Sequence, residues 1–263
     1  MKKIIVNLAL IGALAATSNI ALAGSENSNS AHSNCAKLPS YEALKSALNT
    51  ARSAANGGFN LDMWGTIVDR DGIVCAVAFT GNNRGDQWPG SRIISAQKAN
   101  TANAFSLPGL VLSTANLYTA TQPGGSLFGL QHSNPVNTSA AYKGPSNNYG
   151  QRNDPLVGEK IGGVNVFGGG LALYDAPNHI IGAIGVSGDS SCADHNIAWR
   201  TRNLLVLDFV PGGVSGDPLR PDNIVYDIAP QVGQMSGISA GGWGHTACSA
   251  AATAIAASLP ATK

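Results

Sequence analysis

The sequence predicts an α+β fold, a two-layer sandwich in which an antiparallel sheet is covered by helices. Two hairpin signals and the helical stripes around them carry this prediction. Asp69-Arg70-Asp71-Gly72 separates the apolar runs 63–68 and 73–79, and a turn of this composition between two such runs signals a hairpin. Asp175-Ala176-Pro177-Asn178-His179 separates the runs 171–174 and 180–186. There Pro fixes φ, and Asp and Asn close their side chains onto backbone. The order is helix, hairpin, helices, hairpin, helix. Hairpins pair antiparallel, so the helices are expected on one face of a single sheet, in the PAS-like and profilin-like manner.

Taken in order, the chain opens with Lys2 and Lys3, an apolar stretch 4–16 and the small-residue triplet Ala21-Leu22-Ala23. This is the pattern of a secretory signal peptide over 1–23. A flexible Ser/Asn/Gly-rich leader is expected over 24–37. The core domain is expected over 38–209. Ser40 is placed to cap a first helix whose stripe is Leu44, Ala47, Leu48, Ala51 and Ala55, and Asn56-Gly57-Gly58 ends it. On the second strand Ile73, Cys75, Val77 and Phe79 are expected to share a face. A second helix spans 91–106, with Ile94, Lys98, Thr101 and Phe105 on one face, and a third spans about 110–121. The segment 122–163 is long, irregular and rich in Gly, Asn, Ser and Pro. Loops of that length act as covers or interfaces, or stay disordered. A last core helix follows Gly188, with Ser191 as its N-cap and Asp194 completing a capping box. Residues 210–263 form a Gly/Pro-rich C-terminal extension, helical only near 250–259.

Composition narrows the function. The formal charge is +1 and 12% of residues are charged, which gives no electrostatic footprint for nucleic acid or a membrane surface. No stretch has the unbroken apolar length of a membrane span. With the leader, this predicts a periplasmic or secreted protein. Cys35, Cys75, Cys192 and Cys248 make an even set in an exported chain, so two disulfides are expected. Three pairings are open; Cys75–Cys192 with Cys35–Cys248 is the favoured one, the second bridge tying down the tail. No pair has C-x-x-C spacing, which argues against zinc, a thioredoxin-like role and covalent haem attachment.

Five motifs in order resemble one family. They are Ile67-Val68-Asp69-Arg70-Asp71-Gly72, Ala96-Gln97-Lys98-Ala99-Asn100-Thr101-Ala102, Gly168-Gly169-Gly170, Ile181-Gly182-Ala183-Ile184-Gly185-Val186-Ser187-Gly188, and Asp194 with Ala198. Together they resemble the GlcG/HbpS-type haem-binding family, also called the haem-degrading domain family. The resemblance implies an α+β fold, self-association into a homo-oligomer, and non-covalent binding of haem or a related tetrapyrrole. It implies a carrier, scavenger or sensor input, with slow haem breakdown at most. On that reading Lys98 pairs with a propionate and Thr101 faces the iron or its water, while Gly168, Gly169 and Gly170 either admit a flat ring to bare backbone or let helices pack tightly on the sheet. Arg92 is a further propionate candidate, and His195 a candidate iron ligand as a neutral imidazole. The alternative is a structural or small-ligand module whose pocket is filled by the long loop and the tail. Gly188-Asp189-Ser190-Ser191 looks superficially like a serine-hydrolase nucleophile loop. It lacks a second glycine, and no histidine sits in a recognisable partner motif, so a hydrolase is discounted.

Overall fold

A computed structural model describes residues 34–232 and 234–263. The signal-peptide reading of 1–23 and nearly all of the leader lie outside the described residues. The first helix, α1 (Tyr41–Ser53), is capped as its sequence asks, with Ser40 Oγ accepting the Ala43 N–H at 3.2 Å. It buries Leu44, Ala47, Leu48 and Ala51. Strands β1 (Trp64–Asp69) and β2 (Val74–Phe79) form the first hairpin. Asp69 Oδ1 closes its turn by accepting the N–H groups of Asp71 and Ile73, each at 2.9 Å. Gly72 takes φ +76° there, a conformation costly for other residues. Helix α2 (Ser91–Phe105) follows, then β3 (Gly170–Ala176), β4 (His179–Ser187) and α3 (Ser191–Leu204).

The four strands make one antiparallel sheet in the order β2-β1-β4-β3. Helices cover it, as an α+β sandwich requires, and they lie on both faces rather than one. On one face α2 presents Ala96, Ala99 and Ala102 to Trp64, Val68, Val77, Phe79 and Ala183. On the other, Leu44 and Leu48 of α1 and Ile197, Ala198 and Trp199 of α3 pack on Ile67, Leu171, Ile184 and Val186. The strands are apolar on both sides, which leaves two surfaces to bury. Gly185 makes the α2 face possible. A Cβ there would lie 1.9 Å from the Ser95 carbonyl oxygen, so only bare backbone lets the helix approach.

The β1–β2 register shifts between Ile67 and Val68, with Ile67 opposite Ala76 and Val68 opposite Val74. The extra residue is Cys75. This bulge corrects the expected face: Val74, Val77 and Phe79 share the α2 side, while Cys75 packs with the α1 side. It also explains the disulfides, which are Cys35–Cys75 and Cys192–Cys248. The favoured pairing of Cys75 with Cys192 and Cys35 with Cys248 is therefore wrong. Cys35, just before α1, meets the bulged strand residue, and Cys192 in the first turn of α3 meets the tail.

Two other expectations change. Residues 110–121 hold no continuous helix, only a 3-10 turn (Thr114–Leu117) and one helical turn (Tyr118–Thr121). Ser113 and Asn116 form a capping box that starts the 3-10 turn at Thr114, so no helix runs through 110–113. The N-cap of α3 is Ser190, not Ser191, and Asp194 is free for another role. The tail carries a hairpin, β5 (Ile228–Gln231) and β6 (Gln234–Ser239), and helix α4 (Ala250–Ala257). It is locked to α3 by a fully buried Arg202–Asp222 pair and by Trp199 Nε1–H donating to the Pro260 carbonyl at 2.9 Å.

Candidate functional site

The fold brings most of the predicted site residues together and packs them solid. Lys98 is 1% exposed. Its ammonium donates to Asp194 Oδ2 at 2.7 Å and to the Val186 carbonyl at 3.1 Å. Asp194 Oδ1 accepts the Asp189 N–H at 2.8 Å, so the carboxylate ties α2 to the loop before α3. Burial pushes the Asp194 carboxyl up to about 6, against the pull of the Lys98 ammonium. Thr101 donates to the Gln97 carbonyl one turn back and accepts the Asn165 N–H at 3.0 Å.

The Gly168–Gly170 run threads between α2 and α3. A Cβ on Gly168 would meet Ser191 and His195, one on Gly169 would meet Val186 and Asp194, and one on Gly170 would meet Thr114 and Lys98. These glycines let the two helices approach closely. His195 is fully buried, and its Nε2 accepts the Ile224 N–H from the tail at 3.2 Å. Burial pushes its imidazole down to about 3, so it is neutral. Lys98, Thr101 and His195 line none of five main cavities among the described residues.

Arg92 lies elsewhere, at the start of α2. Its guanidinium forks onto both Asp154 oxygens, donates to the Ala141 carbonyl at 2.9 Å and stacks 3.7 Å from the Tyr149 ring centre. Asp154 in turn accepts the Gly150 and Leu156 N–H groups. Arg92 thus braces the long segment 122–163 against α2.

That brace opens a cavity of about 490 Å³, within the roughly 300–1,000 Å³ of small-molecule sites. Trp64 of β1, Pro89, Ile93 of α2, and Tyr142 and Tyr149 of the long segment form its apolar walls. Arg84 at its rim is exposed. Trp64 is held edge-on to Phe79 at 5.2 Å, and its Nε1–H is satisfied by the Trp88 carbonyl. The wall is therefore rigid on the sheet side, while Tyr142 is 71% exposed. Sequence reading reached this site only through Arg92, because the rest of its walls come from residues 64, 84–93 and 142–149, which only the folded long segment unites. Besides Arg92, the signal was the aromatic content of a segment otherwise rich in Gly, Asn and Ser.

The chain is thus an α+β sandwich with a buried Lys98–Asp194 pair and helices packed on glycines. The family description "Haem degrading protein HbpS-like" matches residues 40–202, and the chain belongs to that family. Among solved structures it is similar to the Klebsiella pneumoniae protein ORFY, with 24% identity and a TM-score of 0.43 over 64% of this chain and 90% of that one. It is also similar to a protein described as the PduOC:haem complex, with 25% identity and a TM-score of 0.43 over 63% of this chain and 94% of the other. A third similar structure is HbpS, with 17% identity and a TM-score of 0.39 over 64% and 89%. No curated protein matches. Among the described residues, no helix is long and apolar enough to cross a membrane.

Proposed function

We propose that this chain is an exported protein that binds haem non-covalently, as a carrier, scavenger or sensor input, and that the ring lies in the cavity beside the start of α2. Family membership over residues 40–202 carries the choice of ligand. The cavity supports the place. Its walls offer a flat apolar ring Trp64, Ile93, Tyr142 and Tyr149, and its rim offers the propionates Arg84. Arg92 is engaged by Asp154 and holds the wall instead. The phenol oxygens of Tyr142 and Tyr149 are the lining groups of a kind that ligates haem iron. Bound haem would supply the redox chemistry; the chain supplies contact, orientation and partial exclusion of water. Slow haem breakdown is incidental on this reading. Two disulfides suit an oxidising compartment. The exposed Trp88, Phe128 and Tyr142 near the cavity and on the long segment suit self-association.

The runner-up, a structural or small-ligand module, draws on the Lys98 cluster. The long segment reaches it through Asn165 on Thr101, and the tail through Ile224 on His195. A haemin titration of the mature, disulfide-intact protein, read in the Soret region, separates the two. A saturable shift at one haem per chain is expected. Absorbance that rises only linearly, with the chain folded, would transfer the reading to the module.

A further inference from the structure

We propose that Ser191 is a nucleophile activated by His245, and that the chain accepts acyl groups from activated carboxylic esters at Ser191 Oγ. The site is separate from the aromatic cavity, and its residues do not enter the haem reading.

Ser191 is the first residue of α3 and is half-buried. Its Oγ lies 2.7 Å from His245 Nε2. The other ring nitrogen, Nδ1, lies 2.7 Å from the Thr246 carbonyl oxygen. A carbonyl only accepts, so Nδ1 carries the proton and Nε2 offers its lone pair. The Ser191 hydroxyl must then donate to Nε2, which is the polarity of a nucleophile and its general base. The Gly168 N–H approaches the same Oγ at 3.3 Å. The His245 ring is fixed by Tyr118, with ring centres 4.7 Å apart, and is 3% exposed. Burial keeps its imidazole neutral, pushed down to about 4. The start of the 14-residue α3 places the positive end of a helix dipole where negative charge would develop.

The disulfide is the second observation. Cys192 follows Ser191, and Cys248 lies three residues after His245. The bridge clamps the two partners, which are 54 positions apart in the chain. His245 also lies beyond the family match, which ends at residue 202. The pair joins the family core to the tail, so it is a property of this chain rather than of the matched region.

The step balances as follows. Ser191 Oγ forms a bond to the ester carbonyl carbon while its proton passes to His245 Nε2. The carbon–oxygen bond to the leaving alcohol breaks, and the alcohol takes the proton from Nε2. Water then hydrolyses the acyl-serine, returning the hydroxyl. A fluorophosphonate follows the first half of this path: the Oγ–P bond forms, the P–F bond breaks and fluoride leaves.

The test is fluorophosphonate labelling of the full, disulfide-intact chain, with the adduct located by peptide mass spectrometry. An adduct at Ser191 is expected, absent in Ser191→Ala and formed at least about 100-fold more slowly in His245→Gln, the usual minimum contribution of a general base. Release of 4-nitrophenol from 4-nitrophenyl acetate should fall in parallel. A measurement that needs no variant compares native with urea-unfolded chain, where Ser191 should label only in the native state and ahead of its neighbour Ser190. No adduct at Ser191 in the native chain would overturn the proposal. So would an undiminished labelling rate in a folded His245→Gln. Either failure leaves the haemin titration untouched.

Discussion

Replacing Lys98 by Met should destabilise the protein severely, and more so at high pH. The Lys98–Asp194 pair is 2.7 Å long, with side chains 1% and 3% exposed. Met keeps the apolar stem and removes the charge. The Asp194 carboxylate then keeps only the Asp189 N–H, and the Val186 carbonyl loses a donor. Removing one member of a buried pair costs about 3–5 kcal/mol. For a chain of this size that is a fall in Tm of roughly 6–20 °C. The Asp194 carboxyl already sits up near 6. Without the ammonium it rises further, so at pH 5 it takes up a proton and the defect shrinks. Lys98→Met with Asp194→Asn leaves two neutral groups and should recover most of the loss, a coupling a double-mutant cycle measures. The assay is urea unfolding at pH 8 and pH 5 with the disulfides intact. A loss under about 1 kcal/mol at pH 8, or a defect that grows towards pH 5, would refute the reasoning.

Gly185→Ala would force a Cβ to within 1.9 Å of the Ser95 carbonyl and lift α2 off the sheet. A loss of about 3 kcal/mol or more is expected, at the upper end for overpacking; an unchanged Tm would contradict it. Acid should weaken the fold. His195 and His245 are held neutral by burial, pushed down from 6.5 to about 3 and about 4, so below 6.5 the unfolded chain takes up protons the folded chain refuses. Asp194 opposes this between about 6 and 3.8, as one group against two. The urea midpoint should therefore fall from pH 7 to pH 4.5, and less steeply in His245→Gln; a midpoint that holds or rises would contradict the burial of these rings. Peptide mapping without reduction should return Cys35 linked to Cys75 and Cys192 linked to Cys248, and a Cys75–Cys192 peptide would contradict the bulge at Cys75.

Much of the fold was legible because local chemistry decided it. The Asp69–Gly72 turn closes through one carboxylate, Ser40 caps α1 from its own side chain, and the apolar runs pair as hairpins. The failures share a different cause. The bulge at Cys75 depends on register with β1, which no local pattern encodes, and it reversed both the face of that residue and the disulfide pairing. Helices lie on both sheet faces because the strands are apolar throughout, a signal easily taken for richness of a single core. At the site, Lys98, Thr101 and the glycine run stand in the motifs, and His195 follows Asp194 in the chain. Their saturation was not visible there, because Asp194, Asn165 and Ile224 arrive from distant segments. For the same reason Ser191 had no visible partner: His245 reaches it only once the Cys192–Cys248 bridge folds the tail back.

The measurement that bears most directly on the account is a haemin titration comparing Ile93→Trp with Thr101→Ala. Ile93 lines the aromatic cavity, and Trp at that position fills it. Thr101 is buried in the packed cluster, bonded to Gln97 and Asn165. The account predicts that Ile93→Trp weakens haemin binding by at least about tenfold, which is 1.4 kcal/mol, while Thr101→Ala binds as the parent does. Lost affinity in Thr101→Ala with Ile93→Trp unaffected would contradict it and return the ring to the glycine-rich centre.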